Sequence, residues 1–350
     1  MMPSPETMYR ALVRRDSTFE GVFVVGVKTT HIFCRPACPA KKPKPEHVEF
    51  FSLPREALHA GYRPCKRCNP SLSIARPPEL VRRLRDAVEH SVGGKISGAD
   101  LGAMGIDPST ARRQFQRYYG MTFFAYHRAR RMGLALHEVR NGESVIGAQI
   151  ESGFNSASGF HNAFRQLFGA PPSKGKEIDC MLARWVETPL GAMVAVADER
   201  GLRLLEFVDR RGLENEINTL RRRTGCVILP GRNSHLDAMV SQLQEYFQGS
   251  RMRFTVPLVP SGSAFEESVW ERLRKIPAGE TRSYSELAKA VGKPAAVRAV
   301  GRANGKNCMS IVIPCHRVIR SDGNLCGYGG GIWRKQWLIE HERKFHVRGR

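Results

Sequence analysis

The sequence has no run of about twenty apolar residues, which excludes a membrane-spanning helix. Its opening, MMPSPETMYR, has no basic start followed by an apolar core, so no export signal is expected. No long internal repeat and no low-complexity tract is present, which sets aside solenoids and biased linkers. Acidic residues are scarce: 33 Asp and Glu stand against 55 Lys and Arg, giving a net +22 over 350 residues and a pI near 10.1. A chain this basic meets a polyanion, nucleic acid before an anionic membrane. A membrane surface is disfavoured because no basic amphipathic helix with aromatic anchors is visible. With 41% hydrophobic and 25% charged residues the chain is neither disordered nor fibrous. Its length predicts two or three domains. The nine cysteines, odd in number and unevenly spread, read as metal ligands or reactive thiols in a reducing compartment, not as a disulfide framework.

Punctuation divides the chain at Arg76-Pro77-Pro78, at Ala170-Pro171-Pro172-Ser173-Lys174-Gly175 and at Val259-Pro260-Ser261-Gly262. Residues 1–78, 79–178 and 263–350 carry the positive excess, at +7, +5 and +9, whereas 179–262 is nearly neutral at +1. That neutral segment, with strand-like Gly191 to Ala197 and Leu202 to Phe207 and a helical pattern from Leu236 to Phe247, reads as scaffold.

In the first segment Cys34, Cys38, Cys65 and Cys68 form two close pairs joined by a long loop, the spacing that brings four sulfurs to a tetrahedral zinc ion. Spacing alone favours a structural zinc knot, and Arg35, Arg63, Lys66 and Arg67 make unliganded buried thiols a poor alternative. The text from Thr29 to Ala40 and from Tyr62 to Cys68 resembles the zinc domain of the bacterial Ada proteins. The resemblance implies that Cys34 is both a zinc ligand and the acceptor of methyl from a DNA methylphosphotriester. Four-thiolate coordination keeps each sulfur a strong nucleophile at neutral pH. The family's DNA contacts map onto Thr30 and Arg63. Two more fall on Pro39 and Lys41, where arginines are usual; Lys41 keeps the charge. Arg67 completes the basic set.

Leu101 to Asp107 followed by Pro108 to Tyr118 reads as a helix-turn-helix, with Asp107 as N-cap and Pro108 at the first helical position. Its second helix offers Arg112, Arg113, Gln116 and Arg117, with Phe115 facing inward. The same grammar recurs from Ser144 to Ser152 and from Ser156 to Phe168, presenting Ser158, His161, Asn162, Arg165 and Gln166. Arg, Asn and Gln can make bidentate contacts with bases in the major groove. Two such units joined by a helix from Thr122 to Val139 resemble the AraC-type DNA-binding domain.

In the last segment the strand-like run Ile311-Val312-Ile313 leads into Pro314-Cys315-His316-Arg317-Val318. A buried core thiol is the bland reading. The motif resembles the signature of O6-alkylguanine-DNA alkyltransferases from Gly262 to Glu342. The resemblance implies Cys315 as nucleophile, with His316, oriented by Glu342, drawing its proton through a water. It gives Tyr284 nucleotide rotation and proton donation, Arg298 the gap left in the stack, Asn307 the bracing of the active turn, and Tyr328 with Gly329-Gly330 the pocket wall. Extrusion of the base is needed because the methyl group is unreachable in the duplex. Cys308 and Cys326 depart from the pattern, where a proline and a small residue are usual. Cys180 and Cys226 read as small apolar residues.

The chain is therefore expected to be a multidomain α+β protein. A zinc-bound N-terminal α/β domain precedes an all-α AraC-type double helix-turn-helix domain, a ribonuclease-H-like α/β domain and a winged-helix-like alkyltransferase domain. The resemblance implies irreversible methyl transfer from O6-methylguanine and O4-methylthymine to Cys315, and from methylphosphotriesters to Cys34, with the second event switching on operator binding and transcription. Expected partners are one zinc ion per chain, alkylated duplex DNA, a promoter operator and RNA polymerase. A monomer in a bacterial cytoplasm, on the nucleoid, is expected. The alternatives are an AraC-type regulator with vestigial acceptor sites and a repair-only protein.

Overall fold

The computed structural model describes residues 3–16, 19, 22–52, 54–68, 70, 79–90, 93–119, 121–208, 210 and 212–346. The proposed boundary at residue 78 and the side chain of Arg117 lie outside them. In the first unit α1 (Pro5–Val13), capped by Ser4, packs Met8, Ala11 and Leu12 against Phe23 and Val25. The sheet has the order β3-β1-β2-β4, built from β1 (Val24–Val27), β2 (Ile32–Cys34), β3 (Val48–Phe51) and β4 (Arg63–Pro64), with α2 (Pro54–His59) leading into β4. β4 runs parallel to β2, pairing Phe33 with Pro64. That register sets Cys34 and Cys65 side by side at the strand ends.

The second unit is all helical: α3 (Glu79–His90), α4 (Gly98–Ala103), α5 (Pro108–Tyr119), α6 (Phe123–Arg140), α7 (Val145–Glu151) and α8 (Ala157–Phe168). The spine is α6. Its first half closes a core of Leu84, Leu101, Phe115 and Tyr126, and its second half one of Met132, Leu136, Phe160 and Phe164. Each short helix starts where a side chain replaces a missing backbone partner. Ser97 and Asp100 form a capping box, Asp107 accepts from Thr110 N–H at 2.7 Å, and Ser144 and Ser156 cap α7 and α8.

The third segment is a sheet of order β7-β6-β5-β8, from β5 (Cys180–Thr188), β6 (Gly191–Ala197), β7 (Leu202–Phe207) and β8 (Val227–Pro230). β5, β6 and β7 form an antiparallel meander, and β8 joins β5 in parallel after α9 (Leu213–Thr224). Every residue of β6 and β7 is buried because both sheet faces are covered. Met193 and Leu205 join Leu236 and Tyr246 of α10 (Ser234–Gln248) on one side, and Val194 and Leu204 meet Leu220 on the other.

The first of these cores continues into α11 (Ala264–Arg274), β9 (Arg282–Ser283), α12 (Tyr284–Ala290), α13 (Val297–Gly305), β10 (Val318–Ile319) and α14 (Ile332–His346). Val269, Trp270, Val300 and Leu338 share it with Met193 and Phe207. The strand expected at Ile311-Val312-Ile313 is instead a buried turn. Ile311 sits at φ 73°, Val312 N–H bonds Ser310 O at 2.9 Å, and Cys315 N–H bonds Ile313 O at 2.8 Å. Its apolar run reflects burial on all sides, not a strand face.

The helical unit rests on the edge of this sheet. Trp185 stacks edge-on against Tyr119 at 4.7 Å, Arg85 pairs with Glu187 at 3.4 Å and Arg140 with Glu199 at 2.6 Å. Among the described residues no helix is long and apolar enough to cross a membrane.

Candidate functional site

The first chemical centre stands where β2 and β4 end. The sulfurs of Cys34, Cys38, Cys65 and Cys68 all lie within 4.8 Å of one another. Tetrahedral zinc with sulfurs at about 2.3 Å needs them about 3.8 Å apart, so the four residues fit the ion. Cys65 N–H bonds Phe33 O at 2.9 Å, which holds the second pair against the first, and Arg35 N–H donates to Cys68 Sγ at 3.4 Å. Lys42 pins the Cys38 loop through its carbonyl at 2.7 Å. All four cysteines are buried, Cys34 and Cys65 slightly less than Cys38 and Cys68. Thr30, Lys41, Arg63 and Arg67 are exposed around them, and Arg63 N–H is tied to His31 O at 2.8 Å beside Thr30.

The second centre is the one-turn helix Cys315–Arg317 below the buried turn. Asn307 donates to Cys315 Sγ at 3.1 Å and to Ile313 O at 2.8 Å, while its Oδ1 accepts from Met309 N–H at 2.9 Å. Burial pushes the Cys315 thiol up, with the Asn307 amide pulling the other way. His316 Nε2 lies 2.9 Å from Glu342 Oε1, and its Nδ1 is buried with no protein partner. A ring nitrogen facing a carboxylate carries the proton, so Nδ1 keeps the free lone pair. Burial lowers the His316 pKa, leaving the ring neutral. Glu342 is fully buried, yet His316 and Arg317 outweigh that burial and hold it far below the ordinary carboxylate range.

Sequence reasoning missed most of the cage around Glu342. Arg317 grips both its oxygens at 2.8 Å, Tyr246 donates at 2.9 Å and Gly279 N–H at 3.2 Å. Arg317 was visible only as a motif letter, and Tyr246 only as part of a helical pattern. Lys335 is fully buried and donates to Val318 O and, at 2.7 Å, to Cys326 O, tying the chain after Cys315 to the loop that carries Cys326. Tyr284, first residue of α12, is half-buried beside Cys326 and Cys315, and burial raises its phenol so that it stays protonated. Arg298 is exposed on the first turn of α13. Cys308 faces away from this cleft. It lines a cavity of about 430 Å³ with Trp270 and Glu216, and burial lifts its thiol to about 12.

The polar faces expected from the sequence to meet bases lie on α5 and α8. Arg112, Arg113 and Gln116 are exposed, as are Ser158, His161, Asn162, Arg165 and Gln166. Arg131 of α6 braces the second turn, donating to Ser152 O at 2.6 Å and to Gly153 O while stacking over Phe154 at 4.4 Å. Gly153 has φ +68°, and a Cβ there would stand 2.1 Å from Gly93 O, so only glycine fits the turn.

Four family descriptions match the chain in order: the metal-binding domain of Ada over residues 7–71, a helix-turn-helix domain over 102–177, the ribonuclease-like domain of 6-O-methylguanine DNA methyltransferase over 181–260, and that protein's DNA-binding domain over 264–344. The chain is 34% identical over 345 residues to the bifunctional transcriptional activator/DNA repair enzyme Ada of Escherichia coli, covering 95% of each. It is 31% identical over 358 residues to the regulatory protein ada of Salmonella typhimurium, covering 94% of each. A methylated-DNA–protein-cysteine methyltransferase of Methanosarcina barkeri is 39% identical over 158 residues, or 45% of this chain and 94% of that one.

Proposed function

The chain belongs to the Ada family, and on that premise we propose that it takes methyl groups from alkylated duplex DNA onto two of its own cysteines and uses one of them to control its binding to an operator. The observation that carries this reading is the coexistence of two thiol centres, each with its own means of activation, in one chain with two exposed reading helices. At Cys315 the base methyl of O6-methylguanine, or of O4-methylthymine, is the electrophile. The thiol proton passes through a water to His316 Nδ1, Glu342 stabilises the charged ring, the S–C bond forms and the C–O bond breaks. Tyr284 protonates the leaving base, and the proton held by His316 restores the balance. Arg298 takes the place of the extruded nucleotide. At the other centre Cys34, Cys38, Cys65 and Cys68 hold zinc, which keeps Cys34 a thiolate with no general base. Thr30, Lys41, Arg63 and Arg67 hold the phosphate backbone there, and Arg112, Arg113, Gln116, Arg117, Ser158, His161, Asn162 and Arg165 read the operator. The chain works as a monomer on the bacterial nucleoid and meets RNA polymerase at the promoter.

A regulator with vestigial acceptor sites would not need both the Asn307–Cys315 contact and the caged His316–Glu342 pair. Mass mapping after incubation with methylated DNA decides between them: methyl on both Cys34 and Cys315 is expected, and methyl on neither would sink the proposal. Purified chain is expected to carry one zinc. Its coordination energy, about 10–16 kcal/mol in small zinc domains, is folding energy. Cys65→Ser should therefore lose the metal and expose residues 1–78 to protease while the alkyltransferase half stays resistant. Zinc retained in that variant would refute the assignment.

The rate at Cys315 should be insensitive to pH from about 8 down to the ordinary imidazole value of about 6.5. Because burial lowers the His316 pKa, its lone pair is lost only below that value, and the rate should fall there. Transfer rates on a duplex with one O6-methylguanine check this; a rate already halved at pH 6.5 contradicts it.

A further inference from the structure

Strand β7 buries a carboxylate among apolar neighbours. Glu206 lies on the α9 side of the sheet with Leu204 and is fully buried. It accepts from Ser310 Oγ at 2.9 Å and from Phe207 N–H at 3.3 Å, and it pairs with Arg210. The Arg210 side chain is only 10% exposed and pairs also with Glu216 at 2.7 Å. Its guanidinium donates to Asn307 O and to Gly305 O, both at 3.1 Å. Gly329 leaves room for that passage, since a Cβ there would stand 2.7 Å from the guanidinium carbon. β7 grips the same turn through its backbone: Leu205 N–H bonds Cys308 O at 2.9 Å and Ser310 N–H bonds Leu205 O at 2.7 Å.

Fold stability alone does not account for this cluster. Replacing a buried ion pair by apolar residues of similar volume is often neutral or stabilising. What apolar residues cannot do is hold two carbonyls at a fixed spacing. A guanidinium can, because its five N–H groups form a rigid planar fork. The carbonyl it holds belongs to Asn307, whose side-chain amide touches the reacting sulfur at 3.1 Å.

We propose that Arg210, reaching over from the ribonuclease-like segment, is a positioning residue for methyl transfer: it fixes the Gly305 and Asn307 carbonyls and so keeps the Asn307 amide against Cys315. Glu206, Glu216 and Ser310 hold Arg210 in place. The inference rests on Cys315 being the base-methyl acceptor. A misplacement of about 1 Å at a reacting group slows a reaction by up to about a hundredfold, so loss of this hold should slow transfer about tenfold to a hundredfold.

The test is a double-mutant cycle on the full chain, reading single-turnover transfer from O6-methylguanine, with transfer to Cys34 as the internal control. Arg210→Lys keeps a cation beside Glu206 and Glu216 but lacks the fork. The combined Glu206→Leu, Arg210→Leu, Glu216→Gln chain removes the cluster without stranding a charge, which guards against misfolding of a single variant. Both are expected to react at Cys315 at least about tenfold more slowly than wild type, with Cys34 unaffected, and to add no further slowing to Asn307→Ala. Wild-type rates at Cys315 in the folded variants would overturn the proposal. So would equal slowing with and without Asn307, the mark of a merely structural role. A wild-type chain that moves no base methyl would instead refute Cys315 as acceptor and take this inference with it.

Discussion

A chain carrying Cys315→Ala is expected to leave every methyl group on O6-methylguanine while still accepting one from a methylphosphotriester at Cys34. The loss should be complete, because the bond that breaks at oxygen is replaced by one at this sulfur and no other thiol is placed to receive it. Cys308 lines a separate cavity, and its thiol is held protonated up to about 12. Cys326 lies beside Tyr284 but outside the Asn307 contact and the His316–Glu342 pair. In the wild-type chain the product is a thioether, which water does not displace under mild conditions, so base repair should plateau at one methyl per chain. Quench-flow transfer with a duplex bearing one O6-methylguanine, followed by mass mapping, measures both quantities. Residual transfer in Cys315→Ala, or a plateau above one in wild type, would mean that the acceptor or the chemistry is misassigned.

How far these centres were legible depended on how local their determinants are. The zinc cluster was readable because ligand spacing is a short-range property; the β2–β4 register only brings together what the two pairs already specify. The helix-turn-helix units were readable because Asp107, Ser144 and Ser156 are caps, and a cap is a one-residue signal. The apolar run before Cys315 misled, since hydrophobic composition cannot distinguish a strand from a buried turn with Ile311 at positive φ. The nearly neutral third segment read as scaffold for a related reason. Its Glu206 and Arg210 look like ordinary polar positions until tertiary packing places them about a hundred residues downstream, against Asn307 and Ser310. The cage of Glu342 is equally non-local, joining Tyr246, Gly279 and Arg317 from three separate elements. The shared core from β6 to α14 shows why: the third and fourth segments fold as one body, so residues of one complete the site of the other.

Methylation of Cys34, and not of Cys315, is expected to raise operator affinity about a hundredfold at low salt. Four thiolates on zinc carry a net charge of −2, and that charge faces the phosphates the unit must approach. Turning the Cys34 thiolate into a thioether leaves −1. At about 6 Å and an effective dielectric near 20, removing one such repulsion is worth about 3 kcal/mol, which is about a factor of one hundred. Cys34 is the least buried of the four cysteines, and exposed Thr30, Lys41, Arg63 and Arg67 surround the cluster where the change falls. On the proposed function, exposed Lys41, Arg63 and Arg67 would then close on phosphates beside the operator that α5 and α8 are proposed to read. Cys315 is buried, 6% exposed, and its thiol carries no charge comparable to the zinc cluster's, so its methylation should leave operator binding unchanged. Because the gain is a removed repulsion between charges near the surface, added salt should shrink it. Titrations of operator DNA with protein methylated only at Cys34, only at Cys315 or at neither, at two salt concentrations, separate the terms. Equal affinity of the Cys34-methylated and unmethylated chains at low salt would leave a repair protein with no switch, and a gain that persists undiminished at high salt would show that the switch is not electrostatic.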